Sequence, residues 1–211
     1  MTRPAPLPVE MPRRRFLAAS AAGLATLWAG PAAAVTEAQA RTLVDRLAAE
    51  LTRIVNSGGS VAQMVGQFEG VLDRFADMPV IARSVLGPVA RQASPAQLNR
   101  FTVAYRGYLA RRYGRALFGG YDGGEIRVTG ISRSGTVFSV ASVAQMSRRA
   151  GGRERLDVIW QISERSPEPR FFNMIIDGVN LFAIEREEVP ALLEARGGNL
   201  DRLIADLPGL G

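Results

Sequence analysis

The reactive inventory of this 211-residue sequence is narrow. Its 26 basic residues are all arginine, and it has no lysine, histidine or cysteine. No imidazole or thiol is present to serve a serine, act as a thiolate or complete an ordinary zinc set, and no lysine amine is present for a Schiff base. Carboxylates, hydroxyls and guanidinium groups remain. Asp157 and Asp177 fall on neighbouring predicted strands, and two carboxylates in one cavity can act as acid and base. Their spacing in sequence does not set their separation. Gly130-Ile131-Ser132-Arg133-Ser134-Gly135 has the wrong spacing for a nucleophile elbow, which needs Gly-x-Ser-x-Gly.

A second constellation lies on a predicted helix over residues 95–118. At 100° per residue Leu98, Phe101, Tyr105, Tyr108, Leu109 and Ala116 share an arc of roughly 100°, and Arg112 falls inside it. A guanidinium there can receive a phosphate through two parallel donors. It can equally snorkel to water or pair with an acid such as Asp157 or Asp177. Tyr105, Tyr108 and Tyr113 can place hydroxyls at a pocket mouth or at the edge of a plain core. Asp177 and Arg186 read as one buried pair at a strand–helix junction.

The elements that position these residues follow from periodicity. Thr36/Gln39, Ser60/Gln63 and Ser94/Gln97 have capping-box spacing, the last with Pro95 at the first helical position. The helices they open carry apolar residues at helical spacing, and a short helix over 79–86 ends at Gly87-Pro88. Beyond Gly119-Gly120 the period becomes two. Strands are predicted over 125–131, 136–146, 154–163 and 170–182, then two short helices over 186–196 and 199–207, the second capped by Asn199. In the run FFNMIIDGVNLF, Phe172, Met174 and Ile176 share one face while Phe171, Ile175 and Val179 lie on the other. Helices followed by consecutive strands predict an α+β domain: a four-stranded antiparallel sheet with its apolar face covered by helices.

Residues 1–34 read as an export leader. Arg13-Arg14-Arg15-Phe16-Leu17 opens it in the manner of a twin-arginine signal, a 14-residue apolar run extends from Phe16 to Ala29, and cleavage is expected near Ala34. A membrane span needs about 20 apolar residues, so permanent embedding is not expected. The mature domain over 35–211 is expected in the periplasm. The whole chain is +6, but beyond residue 34 there are 22 arginines and 19 acids. That surface gives no footprint for nucleic acid.

Three segments carry a family likeness: LGPVARQASPAQLNRF from Leu86, YLARRYGRAL from Tyr108, and IIDGVNLFAIEREEVPALLEARGGNLDRLIADL from Ile175. Together they resemble the MlaC, or toluene-tolerance, family over roughly 60–207, with Tyr113 at the helix tyrosine and Asp177-Gly178-Val179-Asn180-Leu181 before Arg186 at the late-strand signature. Ala90, Asn180 and Val189 depart from the family pattern. The resemblance implies a curved NTF2-like sheet wrapped by helices around an apolar pocket for acyl chains, and no catalysis or cofactor. It implies a phospholipid shuttle of an ABC-type transport system that maintains outer-membrane lipid asymmetry. The implied partners are an outer-membrane lipoprotein complex and the substrate-binding ring of an inner-membrane ABC transporter.

On that reading the lipid-binding residues are Tyr105, Tyr108, Leu109, Arg112, Tyr113, Val128, Phe138, Val140, Val158, Trp160, Phe172, Met174 and Ile176. A two-tailed phospholipid has on the order of 30 methylenes, whose exposure to water costs more than ~20 kcal/mol. A carrier must therefore enclose the tails, and its cavity is expected near the upper end of ordinary pocket volumes. A lipid-free periplasmic adaptor is the alternative, and an NTF2-like enzyme a further one.

Overall fold

The three hydroxyl–glutamine boxes open three helices in the structure, a computed structural model that describes residues 34–211; apart from Ala34, the leader lies outside the described residues. The Thr36 hydroxyl accepts the Gln39 N–H at 3.3 Å, and the Gln39 side chain accepts the Thr36 N–H at 2.8 Å, opening α1 (Glu37–Val55). Ser60 and Gln63 do the same for α2 (Val61–Phe75), and Ser94 and Gln97 for α4 (Pro95–Gly120). Each box satisfies backbone donors that a helix start otherwise leaves unpaired. Between them α3 (Met78–Leu86) is capped by Asp77 and followed by a 3-10 turn over Gly87–Arg91.

The strands β1 (Tyr121–Ser134), β2 (Val137–Arg148), β3 (Arg153–Ser163) and β4 (Phe171–Ile176) follow, with the two-residue β5 (Val179–Asn180). They form one antiparallel meander in sequence order, as expected for an α+β chain with short turns. The fourth predicted strand breaks at Asp177-Gly178, where both residues have positive φ (48° and 81°). Two such residues make the tight hairpin turn whose twist suits the strands, and Ile176 then pairs with Val179.

Helix α5 (Leu181–Glu194) begins five residues before its predicted start, because the Asn180 side chain accepts the Ala183 N–H at 3.0 Å and caps it. Leu181 and Phe182 are thus helical, not the end of a strand. Helix α6 (Leu200–Asp206) starts at the expected Asn199 cap.

Three irregularities interrupt the register of the sheet, one of them at the start of β1 between Tyr121 and Gly123. Of the other two, the first inserts one residue in β1 between Val128 and Gly130 and the second inserts one in β4; such bulges raise local twist. In the second, Gln161 pairs with Asn173 while Ile162 pairs with Phe171, leaving Phe172 as the extra residue. This resolves the two-sided apolar run. Phe171 moves to the face of Met174 and Trp160, its ring 5.3 Å edge-on from the Trp160 ring. Phe172 turns towards Phe182 at 6.5 Å.

The core lies between the inner sheet face and helices α1 to α5. Gly114 lets α4 approach α2 closely, since a Cβ there would lie 3.2 Å from Val65 and 3.3 Å from Phe68. No helix among the described residues is long and apolar enough to cross a membrane.

Candidate functional site

The sheet and the helices do not close completely on one another. A cavity of about 240 Å³ has a floor of Leu47, Leu51, Val71, Ala144, Val158 and Trp160, all buried. Its outer wall is Ala116, Leu117, Tyr121, Leu156 and Ile176, of which Ala116 is exposed and the others half-buried, so this is the side facing solvent. A smaller space of about 60 Å³ lies between α3, α4, β4 and α5, against Met78, Ile81, Leu109, Phe172 and Phe182. Phe68, Leu72, Tyr113, Phe171, Met174 and Leu181 line both, so the two are lobes of one apolar region partitioned by flexible side chains. Ordinary ligand pockets hold about 300–1,000 Å³. The cavity is therefore smaller than expected, because Phe68, Phe171 and Met174 occupy its middle.

Where the smaller lobe meets α5 the lining becomes polar. Glu185 is buried, its side chain 4% exposed. Its carboxylate accepts the Tyr113 hydroxyl at 2.6 Å and the Tyr105 hydroxyl at 2.8 Å. Arg112 stands 3.5 Å from the same carboxylate and donates to Glu188 at 2.5 Å and to the Tyr108 hydroxyl at 2.8 Å. Its guanidinium lies over the rings of both Tyr108 and Tyr113. Four side chains of α4 thus meet two carboxylates of α5.

Burial pushes the Glu185 carboxyl above its ordinary value, against the pull of the two tyrosine hydrogen bonds and the Arg112 charge. Burial, reinforced by the Glu185 charge, pushes the Tyr108 hydroxyl up to about 12. Burial also raises Tyr105 and Tyr113, both helped by their bonds to Glu185. Burial disfavours the charge on Arg112, but the Glu188 hydrogen bond and the neighbouring negative charges outweigh it and hold the group cationic.

Among the expected lipid-binding residues, Tyr105, Leu109 and Phe172 line the smaller lobe, Val158, Trp160 and Ile176 the larger, and Tyr113 and Met174 both. Phe138 and Val140 are buried core residues and Val128 packs against that core; none lines a lobe. Periodicity identifies a buried face but not where that face meets empty space. Tyr108 and Arg112 sit in the seam between α4 and α5.

Two charge readings are corrected. Asp177 and Arg186 are both exposed and form no buried pair: the Asp177 carboxylate accepts the Asp157 N–H at 2.8 Å, and Arg186 lies over the Phe182 ring. The partners of Arg112 are Glu185 and Glu188, not Asp157 or Asp177. Asp157 and Asp177 line neither lobe. Glu185 was not singled out from the sequence, although Leu181, Glu185, Val189 and Leu193 form an i, i+4 stripe in which one acid replaces an apolar residue.

The model of the family described as "MlaC protein" matches residues 41–208. A phospholipid-binding protein from Ralstonia solanacearum, solved in complex with a phospholipid, superposes with a TM-score of 0.58 at 19% identity, covering 81% of this chain and 97% of that one. At that identity the likeness shows the fold. A cyanobacterial iota-carbonic anhydrase complexed with bicarbonate reaches a TM-score of only 0.42 at 15% identity, over 68% of this chain and 92% of the other; no chemistry is drawn from it.

Proposed function

The chain belongs to the MlaC family, and on that premise we propose that it is a periplasmic phospholipid carrier that encloses acyl chains between its helices and its sheet. The observation that carries this reading is the two-lobed apolar cavity. Its larger lobe is walled almost wholly by hydrocarbon, from Leu47 and Leu51 on one side to Val158 and Trp160 on the other. Exposing about 30 methylenes to water costs more than ~20 kcal/mol, so tails that cross an aqueous space must stay enclosed, and the dividing side chains must move aside to admit them. Met146 and Met174 suit such a repacking wall, since thioether chains adapt their shape at little cost. The lipid bound by the Ralstonia protein of the same fold supports the reading.

Enclosure needs no bond chemistry, and no catalytic step is assigned. The twin-arginine-like leader read from residues 1–34 supports export to the periplasm. There it would serve an ABC-type lipid transport system, exchanging lipid with an outer-membrane lipoprotein complex and with the substrate-binding ring of the inner-membrane transporter, in support of outer-membrane asymmetry. The test is uptake from vesicles. The purified chain, incubated with phospholipid vesicles and separated from them, is expected to retain about one lipid per protein; protein recovered free of lipid after long incubation would reject the carrier.

A further inference from the structure

The seam between α4 and α5 has a charge pattern that tail enclosure does not require. Arg112 precedes Tyr113, which lines both lobes, and stands one helical turn before Ala116, the exposed residue of the larger lobe. Glu188 lies nearly one turn beyond Glu185 in the wall of the smaller lobe. The Arg112–Glu188 pair is therefore at the rim, with side chains 33% and 37% exposed. Below it lies Glu185, buried and a second carboxylate on the same guanidinium. The seam thus sets one cation against two carboxylates.

Resting on the carrier reading, we infer that Arg112 and Glu188 select the headgroup, favouring zwitterionic lipids in which an ammonium lies two carbons from the phosphate. The argument is one of exchange. A phosphate that reaches Arg112 must displace Glu188. If the headgroup also carries an ammonium, the freed Glu188 carboxylate gains a cation: one ion pair opens and two close. If the headgroup is an uncharged glycerol, one pair opens and one closes, and Glu188 is left without a cation, beside the phosphate and above Glu185. A half-buried carboxylate that has lost its cation and keeps only the Tyr108 hydroxyl, at 3.4 Å, is destabilised. The planar guanidinium can serve a phosphate while its Nη1 keeps the Tyr108 hydroxyl at 2.8 Å, so the exchange does not require the seam to come apart.

The experiment loads the full chain from vesicles of equimolar phosphatidylethanolamine and phosphatidylglycerol with identical tails. The protein is re-isolated, and both lipids are quantified by mass spectrometry. The wild-type chain is expected to carry an excess of phosphatidylethanolamine of about five-fold, the scale of one partly exposed ion pair. Glu188→Gln is expected to bring the ratio close to one, and Glu188→Lys to reverse it. Circular dichroism confirms that each variant is folded. Equal amounts of the two lipids on the wild-type chain, or an unchanged bias in folded Glu188→Gln, would overturn headgroup selection while leaving tail enclosure standing. A wild-type chain that binds neither lipid would overturn the carrier reading and this inference with it.

Discussion

The Tyr113 hydroxyl donates to the Glu185 carboxylate at 2.6 Å, joining the middle of α4 to the first turns of α5 across the smaller lobe. With the Tyr105 hydroxyl on the other carboxylate oxygen at 2.8 Å, it compensates a carboxylate that burial alone would make costly. A hydrogen bond to a charged group contributes about 1.5–3 kcal/mol. Tyr113→Phe is therefore expected to lower unfolding stability by about 2 kcal/mol in urea titrations, with no change in m-value. A loss under ~0.5 kcal/mol would mean that the contact adds nothing to folding.

The same carboxylate predicts a pH dependence. Its folded pKa is raised above the ordinary value near 4.5, chiefly by burial. A group shifted upward contributes stability that is fully present below its unfolded pKa and is lost as pH rises through its folded pKa. The melting temperature should therefore carry a component that falls with rising pH above about 4.5. That component should vanish in Glu185→Gln, which stays neutral. Identical melting-temperature profiles for the two proteins would contradict the assignment.

Ala144 gives a way to fill the cavity. It is buried on β2 and lines the larger lobe. Ala144→Phe should direct a ring into existing space, leaving unfolding stability within about 1–3 kcal/mol of wild type while reducing lipid uptake at least ten-fold. Undiminished uptake by a folded Ala144→Phe protein would show that tails bind elsewhere.

Trp160 supplies an optical reporter. The sequence has two tryptophans, Trp28 and Trp160, so a chain without residues 1–34 keeps only the second. Its ring lines the larger lobe, and its Nε1–H donates to the Ser142 hydroxyl at 2.9 Å. Lipids with brominated tails should quench its emission on uptake, whereas lipids brominated only at the headgroup should not. Equal quenching by both would place the tails outside this lobe.

Much of the fold was legible in the sequence. The three capping boxes are short-range patterns in which the side chains themselves complete the helix ends, and the change from helical to alternating period past Gly119-Gly120 marks the meander. What was not legible depends on pairing or on space. The bulge at Phe172 is set by the register against Gln161 and Ile162, and in a run apolar on both sides either register looks equally good. Leu181 and Phe182 suit strand and helix alike, and the Asp177-Gly178 turn with the Asn180 cap decides between them. The inward face of β2 and β3 was identified correctly as buried, but Val140 fills core while Val158 borders a void. Only the relative placement of α1, α2 and α4 separates these cases. Arg112 stood out as a charge in an apolar arc; its partners did not, because Glu185 precedes the helix predicted over 186–196 and the packing of α5 on α4 that brings Glu188 to Arg112 leaves no mark in periodicity.

The central claim is that the space between the helices and the sheet holds lipid tails. The most direct measurement is mass spectrometry of an organic extract of the natively purified chain, with lipid quantified against protein. The account predicts two-tailed phospholipid at close to one molecule per protein in the wild type and a near-empty extract from Ala144→Phe. A wild-type extract without phospholipid, from protein that also gains none from vesicles, would contradict it.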